Sequence, residues 1–241
     1  MFTDHLDKIW SDAEYPFLQN ASGDDLYFKE ISNVKINNLE NIQAGDVVAL
    51  IGDFDHESIA TLLKLLSKKV IVVPLTNETK NQHEYFISEA HVQYVFEKNK
   101  LSKVTSKTKI NHPFLESLRR KGNPGLILFT TGTTGKPKAI LHDFVPFISR
   151  YKTPRPPLKS ISFLLFDHIG GINTLFHMLF NLGQIVSIKK RTVEEVITTI
   201  RNFSVELLPT TPTFLRMLSL YPGIEKKLGK SLKIISYGTE R

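Results

Sequence analysis

Short runs of β-branched residues alternate with longer segments of helical periodicity along this 241-residue chain. Residues 46–51 (DVVALI) and 70–73 have the composition of strands, and residues 56–66 between them place isoleucine and leucine side chains on one helical face. A helix over 81–90 and a strand over 93–96 repeat the pattern. Strands that alternate with helices pair in parallel, so we expect an α/β protein with βαβ units and parallel sheets.

The second half of the chain continues this alternation and adds clear helix-start signals. Thr192 followed by Glu195 fits a capping box for a helix over 193–203, and Thr211 with Pro212 fits an N-cap and a first-turn proline. Further strands are predicted at 126–129, 162–165, 184–188 and 232–235, with a core-facing helix over 172–182.

Composition narrows the classes of protein that this chain can be. Zero cysteines exclude disulfides, thiolate metal sites and a cysteine nucleophile, and they make a reducing, cytoplasmic location the default. The first ten residues lack the features of a signal peptide, and no apolar run reaches membrane-spanning length. The net charge is +7, but the basic residues are spread from Lys8 to Arg241. We therefore predict no nucleic-acid partner and no membrane span.

The segment FTTGTTGKPKA, residues 129–139, follows a predicted strand and suits neither a strand nor a helix. Its glycines permit close backbone approach, its hydroxyls can donate to anionic oxygens, and a lysine can neutralise phosphate charge. A surface loop with solvated lysines is the alternative. The glycine spacing differs from that of the usual nucleotide-binding loop, which disfavours a phosphohydrolase or GTPase. The predicted polyphosphate ligands are Thr130, Thr131, Gly132, Thr133, Thr134, Gly135 and Lys138.

The same segment resembles the signature loop of the adenylate-forming family of acyl-CoA synthetases, luciferases and nonribosomal-peptide adenylation domains. That loop has the pattern of two small hydroxyl residues, Gly, Thr, Thr, Gly, any residue, Pro and Lys. The resemblance implies that ATP binds here with Mg²⁺ and that Lys138 acts in catalysis. The residues that it places around the β- and γ-phosphates are Thr130, Thr131, Gly132, Thr133, Thr134 and Lys138. His142 stands where such proteins often carry a histidine; a polar residue at a helix start is the alternative.

Residues 165–171 (LFDHIGG) are similar to the His-x-x-Gly segment of the family. The resemblance implies that His168 lies beside the pocket for the acid, near the reacting carboxylate, with Gly170 and Gly171 next to it. A purely structural histidine is the alternative. Asp167 suggests a second alternative, an amino-acid substrate, because amino-acid-activating relatives hold the substrate ammonium with a nearby aspartate. The glycine pair favours the acid-CoA ligases.

The last ten residues, LKIISYGTER, superficially match the Tyr-Gly-x-Thr-Glu motif of the family, but the residue between Gly and Thr is missing. These residues directly follow the LKII strand, where members of the family carry the turn that lies against adenine. The resemblance therefore assigns Ser236, Tyr237, Gly238, Thr239 and Glu240 to this turn. It also implies that the magnesium-associated glutamate comes later than Arg241, so no metal ligand is predicted here.

The resemblance covers nearly all of the chain but only the first part of a complete enzyme. We expect one incomplete N-terminal AMP-binding domain over 1–241, with a first βαβ portion at 1–97, a linker or loop at 98–123 and a phosphate-loop portion at 124–241. By the same resemblance we expect the C-terminal domain of such an enzyme to be absent from these 241 residues. A downstream polypeptide is a candidate source of the missing part, and we expect little turnover from the chain alone.

The implied function is ATP-dependent activation of a small carboxylic acid as an acyl-adenylate, followed by transfer to CoA or another thiol. The alternative is a non-catalytic nucleotide-binding or interaction module derived from such a ligase. Pocket residues that select the acid are scattered over several elements, so the sequence does not identify the acid.

Overall fold

The computed structural model describes residues 2–20, 23–104, 112–130, 135–151 and 153–238. These residues form two compact units, and the chain passes between them more than once. The first unit comprises Met1–His5, Ile31–Lys152 and Phe166–Ile169; the second comprises Leu6–Glu30, Thr153–Leu165 and Gly170–Arg241.

Strands and helices alternate along the described chain, and each unit contains its own sheet. The strands are β1 Leu18–Asn20, β2 Val47–Ile51, β3 Ile71–Leu75, β4 Tyr94–Glu97, β5 Lys100–Lys103, β6 Gly125–Thr130, β7 Lys138–Asp143, β8 Lys159–Ile161, β9 Gln184–Ser187, β10 Leu207–Thr210 and β11 Ile234–Tyr237. The α-helices are α1 Phe2–Trp10, α2 His56–Ser67, α3 His83–Glu89, α4 Pro113–Lys121, α5 Phe144–Ser149, α6 Ile169–Phe180, α7 Val193–Phe203, α8 Pro212–Ser219 and α9 Ile224–Lys227.

The sheet of the first unit has the strand order β5-β4-β2-β3-β6-β7. The four central strands pair in parallel, whereas β5 and β7 run antiparallel at the two edges. β2 and β3 are apolar and buried almost throughout, as expected for strands that are covered on both faces. On one face, residues of α3 and α4 such as Phe86 and Leu115 join Val47 and Ile71 in a buried cluster.

The sheet of the second unit has the order β1-β9-β8-β10-β11, and every pair in it is parallel. Its core forms where α7 and α8 pack on the central strands, with Val196, Ile200 and Phe214 against Ile161 and Val186. β11 lies at an edge, and its side chains are exposed.

The α/β architecture predicted from the sequence is confirmed. The predicted N-cap is confirmed: Thr192 Oγ1 accepts a hydrogen bond from Glu195 N at 3.2 Å, and α7 has the predicted bounds. The Glu195 side chain accepts from Lys189 N at 3.4 Å, so the reciprocal bond of a capping box is not among the bonds described. Thr211 Oγ1 likewise accepts from Phe214 N at 3.2 Å, with Pro212 in the first turn of α8.

Two predictions about elements are wrong. The strand expected at 162–165 is instead β8, Lys159–Ile161. Residues after Ile161 leave the sheet, yet Phe163 stays buried in the core cluster, so its apolar character did not mark a strand. The segment 98–123, expected to be a linker or loop, contains β5, whose side chains are mostly exposed. An edge strand solvated on both faces lacks the alternation that identifies strands. α4 also lies within 98–123.

Candidate functional site

The predicted phosphate segment connects β6 to β7, which form an antiparallel hairpin. Thr130 and Lys138 are the pair of this ladder nearest the connection. Thr131, Gly132, Thr133 and Thr134 lie outside the described residues, so their predicted contacts remain predictions. Lys138 and Ala139 belong to β7 and not to the irregular segment predicted over 129–139. β7 is an edge strand with alternating partial exposure, which gives a weak signal.

The end of the connection is fixed to α3. Tyr85 Oη donates a hydrogen bond to Pro137 O at 2.9 Å. One residue along the helix, Phe86 stacks on Phe129 of β6, with ring centroids 4.0 Å apart and planes 20° apart. Neither contact could be read from the sequence, because Tyr85 and Phe86 belong to no motif and lie far from the hairpin in the chain. α3 therefore supports both sides of the hairpin.

Gly135 and Lys138 have the properties expected of residues that bind phosphate. Gly135 has φ +88°, a left-handed conformation that favours glycine, and a Cβ at this position would meet no atom within 4 Å. Glycine is thus required here for backbone conformation and not for space. The Lys138 side chain is exposed at the strand start. An ammonium group there can reach an anion outside the hairpin.

His142 lies within β7, opposite Leu126, and not at a helix start. Asp143 is the residue that caps the following helix α5, through a bond from Val145 N to its Oδ1 at 3.1 Å. Burial lowers the pKa of His142, and the positive charge of Arg150 lowers it further. His142 is therefore a neutral, half-buried strand residue, and the helix-start interpretation is wrong.

Asp167 and His168 belong to a turn that is tied to the end of β3. The Asp167 Oδ2 atom lies 3.1 Å from Thr76 N, 2.8 Å from Thr76 Oγ1 and 2.9 Å from Thr79 Oγ1. Burial lowers the pKa of the neighbouring His168, while the Asp167 carboxylate acts in the opposite direction. Burial dominates, so His168 is a neutral imidazole at neutral pH, in which one ring nitrogen donates a hydrogen bond and the other accepts one.

The β6–β7 hairpin and the Asp167 turn meet at the same edge of the first sheet. β3 and β6 are adjacent parallel strands, with Ile71 opposite Gly125. Thr76 directly follows β3 and holds Asp167, whereas Thr130 ends β6 and begins the connection to Lys138. Ligands of parallel α/β sheets bind outside the carboxyl ends of the strands. The first unit thus brings Thr130, Lys138 and His168 to the edge where a ligand is expected.

Gly170 and Gly171 belong to the second unit, at the start of α6. A Cβ at Gly171 would lie 1.9 Å from Leu165 O and 3.0 Å from Leu164 O, so the preceding backbone occupies the space of a side chain. Thr174 Oγ1 donates to Gly170 O at 2.8 Å. Close backbone packing explains Gly171 without a substrate, and the predicted pocket role of both glycines remains a prediction.

The predicted adenine-side turn begins at the end of β11 in the second unit. Ser236 and Tyr237 pair in parallel with Pro209 and Thr210 of β10, and Gly238 follows the strand. The Tyr237 side chain is 67% exposed. Thr239 and Glu240 lie outside the described residues. An exposed ring at the carboxyl end of a parallel strand is compatible with stacking on a base, and its contact with adenine remains a prediction.

A cavity of about 820 Å³ lies elsewhere in the first unit and shares no residue with the candidate site. It is lined mainly by residues 32–40, with Lys64, Asn99 and Lys100. Lys64 Nζ donates to Ser32 O at 3.1 Å and also to Val34 O, so its charge stabilises the loop that forms the cavity wall. Volume alone therefore does not identify the functional site.

Comparison with known proteins bears on this edge of the sheet directly. The family model described as AMP-binding enzyme matches residues 37–241. The chain belongs to the AMP-binding enzyme family. The match includes the whole hairpin, the Asp167 turn and the end of β11. Comparison with curated protein sequences finds no match. None of the helices in the described ranges is long and apolar enough to cross a membrane.

Solved structures of AMP-binding-type domains share the fold. The N-terminal domain of FACL13 from Mycobacterium tuberculosis, solved with an inhibitor, has 13% identity and a TM-score of 0.76, covering 98% of this chain and 68% of its own. The NpsA N-terminal subdomain of Klebsiella oxytoca in complex with 3-hydroxybenzoyl-AMSN has 17% identity and a TM-score of 0.73, covering 97% and 64%. The luciferase-like enzyme of the nonluminescent mealworm Zophobas morio has 16% identity and a TM-score of 0.74, and the match covers 99% of this chain and 65% of that enzyme.

At these identities the comparisons establish the fold of this AMP-binding family member. The chain spans about two thirds of the length of the solved chains that it matches. These matches do not show which reaction this chain takes part in, which acid it binds or which thiol accepts the acyl group.

Proposed function

We propose that this chain binds ATP through the β6–β7 hairpin and takes part in the activation of a small carboxylic acid as an acyl-adenylate. The observation that carries the proposal is the meeting of two segments at one sheet edge. Thr130 and Lys138 bracket the phosphate segment after β6, and His168 lies in the turn held at the end of the adjacent strand β3. Phosphate and acid must lie close together for one to react with the other.

The residues of the phosphate segment fit a nucleoside triphosphate. An exposed lysine, a glycine with positive φ and four threonines occur within nine residues of sequence, which together offer positive charge, accessible backbone and hydrogen-bond donors. Mg²⁺ would enter with the phosphates, since it is held largely by substrate oxygens and few carboxylates. The groups that would hold the β- and γ-phosphates are Thr130, Thr131, Gly132, Thr133, Thr134, Gly135 and Lys138.

In the proposed reaction, a carboxylate oxygen of the acid attacks the α-phosphorus of ATP. A bond forms between that oxygen and phosphorus, and the bond from the α-phosphorus to the bridging oxygen breaks, releasing pyrophosphate. Lys138 and the hydroxyls would neutralise the charge that accumulates on pyrophosphate. A neutral His168 can orient the substrate carboxylate by a hydrogen bond without the strong attraction of a full positive charge.

The second proposed step is attack of a thiol on the acyl carbon, which releases AMP and gives a thioester. CoA is the proposed thiol, with a carrier-bound thiol as the alternative. Because the matched structures are about half as long again, we propose that a further polypeptide supplies the rest of the catalytic centre. A cytoplasmic setting is proposed for this chemistry, and the lack of cysteine is compatible with it.

ATP–pyrophosphate exchange tests whether this chain binds ATP but needs a further polypeptide to form the acyl-adenylate. With fatty, aryl and amino acids offered in turn, the 241-residue chain is expected to bind ATP with Mg²⁺ but to show little exchange. Robust exchange by this chain alone would contradict the need for a further polypeptide. Loss of ATP binding altogether would contradict the proposal itself and would favour a non-catalytic interaction module.

A further inference from the structure

Asp167 is held by the backbone and side chains that follow β3. Its Oδ2 atom accepts from the backbone N–H of Thr76 at 3.1 Å and from the Thr76 hydroxyl at 2.8 Å. Thr79 Oγ1 lies 2.9 Å from the same oxygen and 3.1 Å from Thr76 O, so its single proton has two acceptors to choose between. Bonds to an ionised acceptor are the stronger kind. One carboxylate oxygen is thus committed to the protein.

These bonds join parts of the chain that are far apart in sequence. Thr76 and Asp167 are separated by 91 positions, and both belong to the first unit. Thr76 is only 1% exposed, so its donors need a partner inside the protein. A second contact lies on the other side of the turn, where Phe166 packs edge-on against Phe54 with ring centroids 5.5 Å apart. The turn is therefore fixed at two consecutive residues, directly before His168.

We propose that Asp167 is a positioning residue for His168, because its carboxylate fixes the turn to Thr76 and Thr79. The inference rests on the proposed function, in which His168 orients the acid. It also bears on the substrate class. Because Oδ2 accepts the two Thr76 donors, only Oδ1 is left to accept from a substrate ammonium, and the acid activated at this site does not depend on an α-amino group held by Asp167.

Nuclear magnetic resonance of the full chain without ligands tests the positioning role. In Asp167→Ala, we expect backbone ¹⁵N order parameters at 167–169 to fall from about 0.85 to below about 0.6, and the Thr76 amide to exchange with solvent at least roughly tenfold faster. The His168 ring signals, assigned with His168→Gln, should shift. Asp167→Asn retains an acceptor oxygen and should restore most of the order.

Glu97 offers a matched control, since it is an exposed carboxylate at the end of β4, which also neighbours β2. Glu97→Ala should leave the order parameters at 167–169 and the His168 ring signals unchanged. Thr79→Val removes one donor at nearly constant volume and should loosen the turn in the same direction, which keeps the test available if Asp167→Ala does not fold. Unchanged order and ring signals in the Asp167 and Thr79 variants would overturn the proposal.

The ammonium alternative has its own outcome. L-phenylalanine and 3-phenylpropionate differ by the amino group. We expect any excess of the spectral change caused by L-phenylalanine over that caused by 3-phenylpropionate to be the same in the parent and in Asp167→Asn. Saturable binding of L-phenylalanine that is lost in Asp167→Asn would overturn the positioning role. Because the order-parameter test needs no nucleotide, its failure is distinguishable from a failure of ATP binding.

Discussion

Thr130 and Lys138 face each other as the ladder pair that closes the β6–β7 hairpin. The pairing fixes the start and end of the phosphate segment relative to the sheet, whatever conformation the intervening residues adopt. Lys138 is thereby presented at the edge where β3 also ends. A strand-borne lysine is more closely fixed than one on a free loop, which suits a group that must neutralise charge at one point.

Tyr85→Phe should weaken ATP binding by about fivefold. The substitution removes the hydroxyl that donates to Pro137 O at 2.9 Å and leaves the ring in place. One such bond contributes about 1 kcal/mol, and its loss frees the end of the connection. Isothermal titration calorimetry with ATP and Mg²⁺ measures the change, with Tyr94→Phe in β4 as the control. Equal affinities in all three proteins would show that α3 does not organise the hairpin.

Gly171→Ala should destabilise the protein by about 1–3 kcal/mol, because the new methyl group would meet Leu165 O and Leu164 O. Backbone atoms cannot rotate away as a flexible side chain can. Gly229→Ala is a matched control, since a Cβ there has its nearest neighbours at 3.5 Å. Urea unfolding of the two variants compares them. If Gly171→Ala costs no more than Gly229→Ala, the close backbone packing at the start of α6 is not required for stability.

Stability should fall as the pH is lowered from neutral through the range where histidine titrates. Burial lowers the pKa of His142, His168 and His177 in the folded state. Below about pH 6.5, the unfolded chain therefore binds protons that the folded chain does not, which favours unfolding. Urea unfolding at pH 7.5 and pH 5.5 measures the difference. His142→Gln should reduce the pH dependence, and a protein equally stable at both values would contradict this account.

Asp167→Asn should lower the pKa of His168 further. The Asp167 carboxylate favours the imidazolium form and so raises the pKa, against the lowering effect of burial. When asparagine removes this charge, only the effect of burial remains. Titration of the His168 ring by nuclear magnetic resonance gives both values directly. A pKa that rises or stays constant would mean that the Asp167 charge does not act on the ring.

Sequence reasoning succeeded where the signal is local. The bounds of α7 follow from Thr192, from the amide of Glu195 that it caps and from an apolar stripe within one segment. β2 and β3 were recognisable because both their faces are buried and apolar. The phosphate segment was recognisable because its composition fits no regular element.

Long-range contacts and edge strands could not be predicted in the same way. β5 and β7 lie at the sheet edges, where partial solvation removes the alternation of polar and apolar residues. The Tyr85 bond to Pro137 and the Thr76 bonds to Asp167 join residues 52 and 91 positions apart. Such partners are chosen by the packed fold, and each residue alone looks like ordinary helix or loop.

Binding of ATP with Mg²⁺ to the parent chain, Lys138→Ala and Lys136→Ala tests the central claim most directly. Both substitutions remove one exposed lysine from the same segment, but only Lys138 pairs with Thr130 in the ladder. By isothermal titration calorimetry, Lys138→Ala should weaken ATP binding by roughly tenfold or more, as expected for a lost charge-assisted contact, whereas Lys136→Ala should change it by less than about twofold. AMP, which lacks the β- and γ-phosphates, should bind all three proteins alike. Equal ATP affinity for the parent and Lys138→Ala would contradict the account.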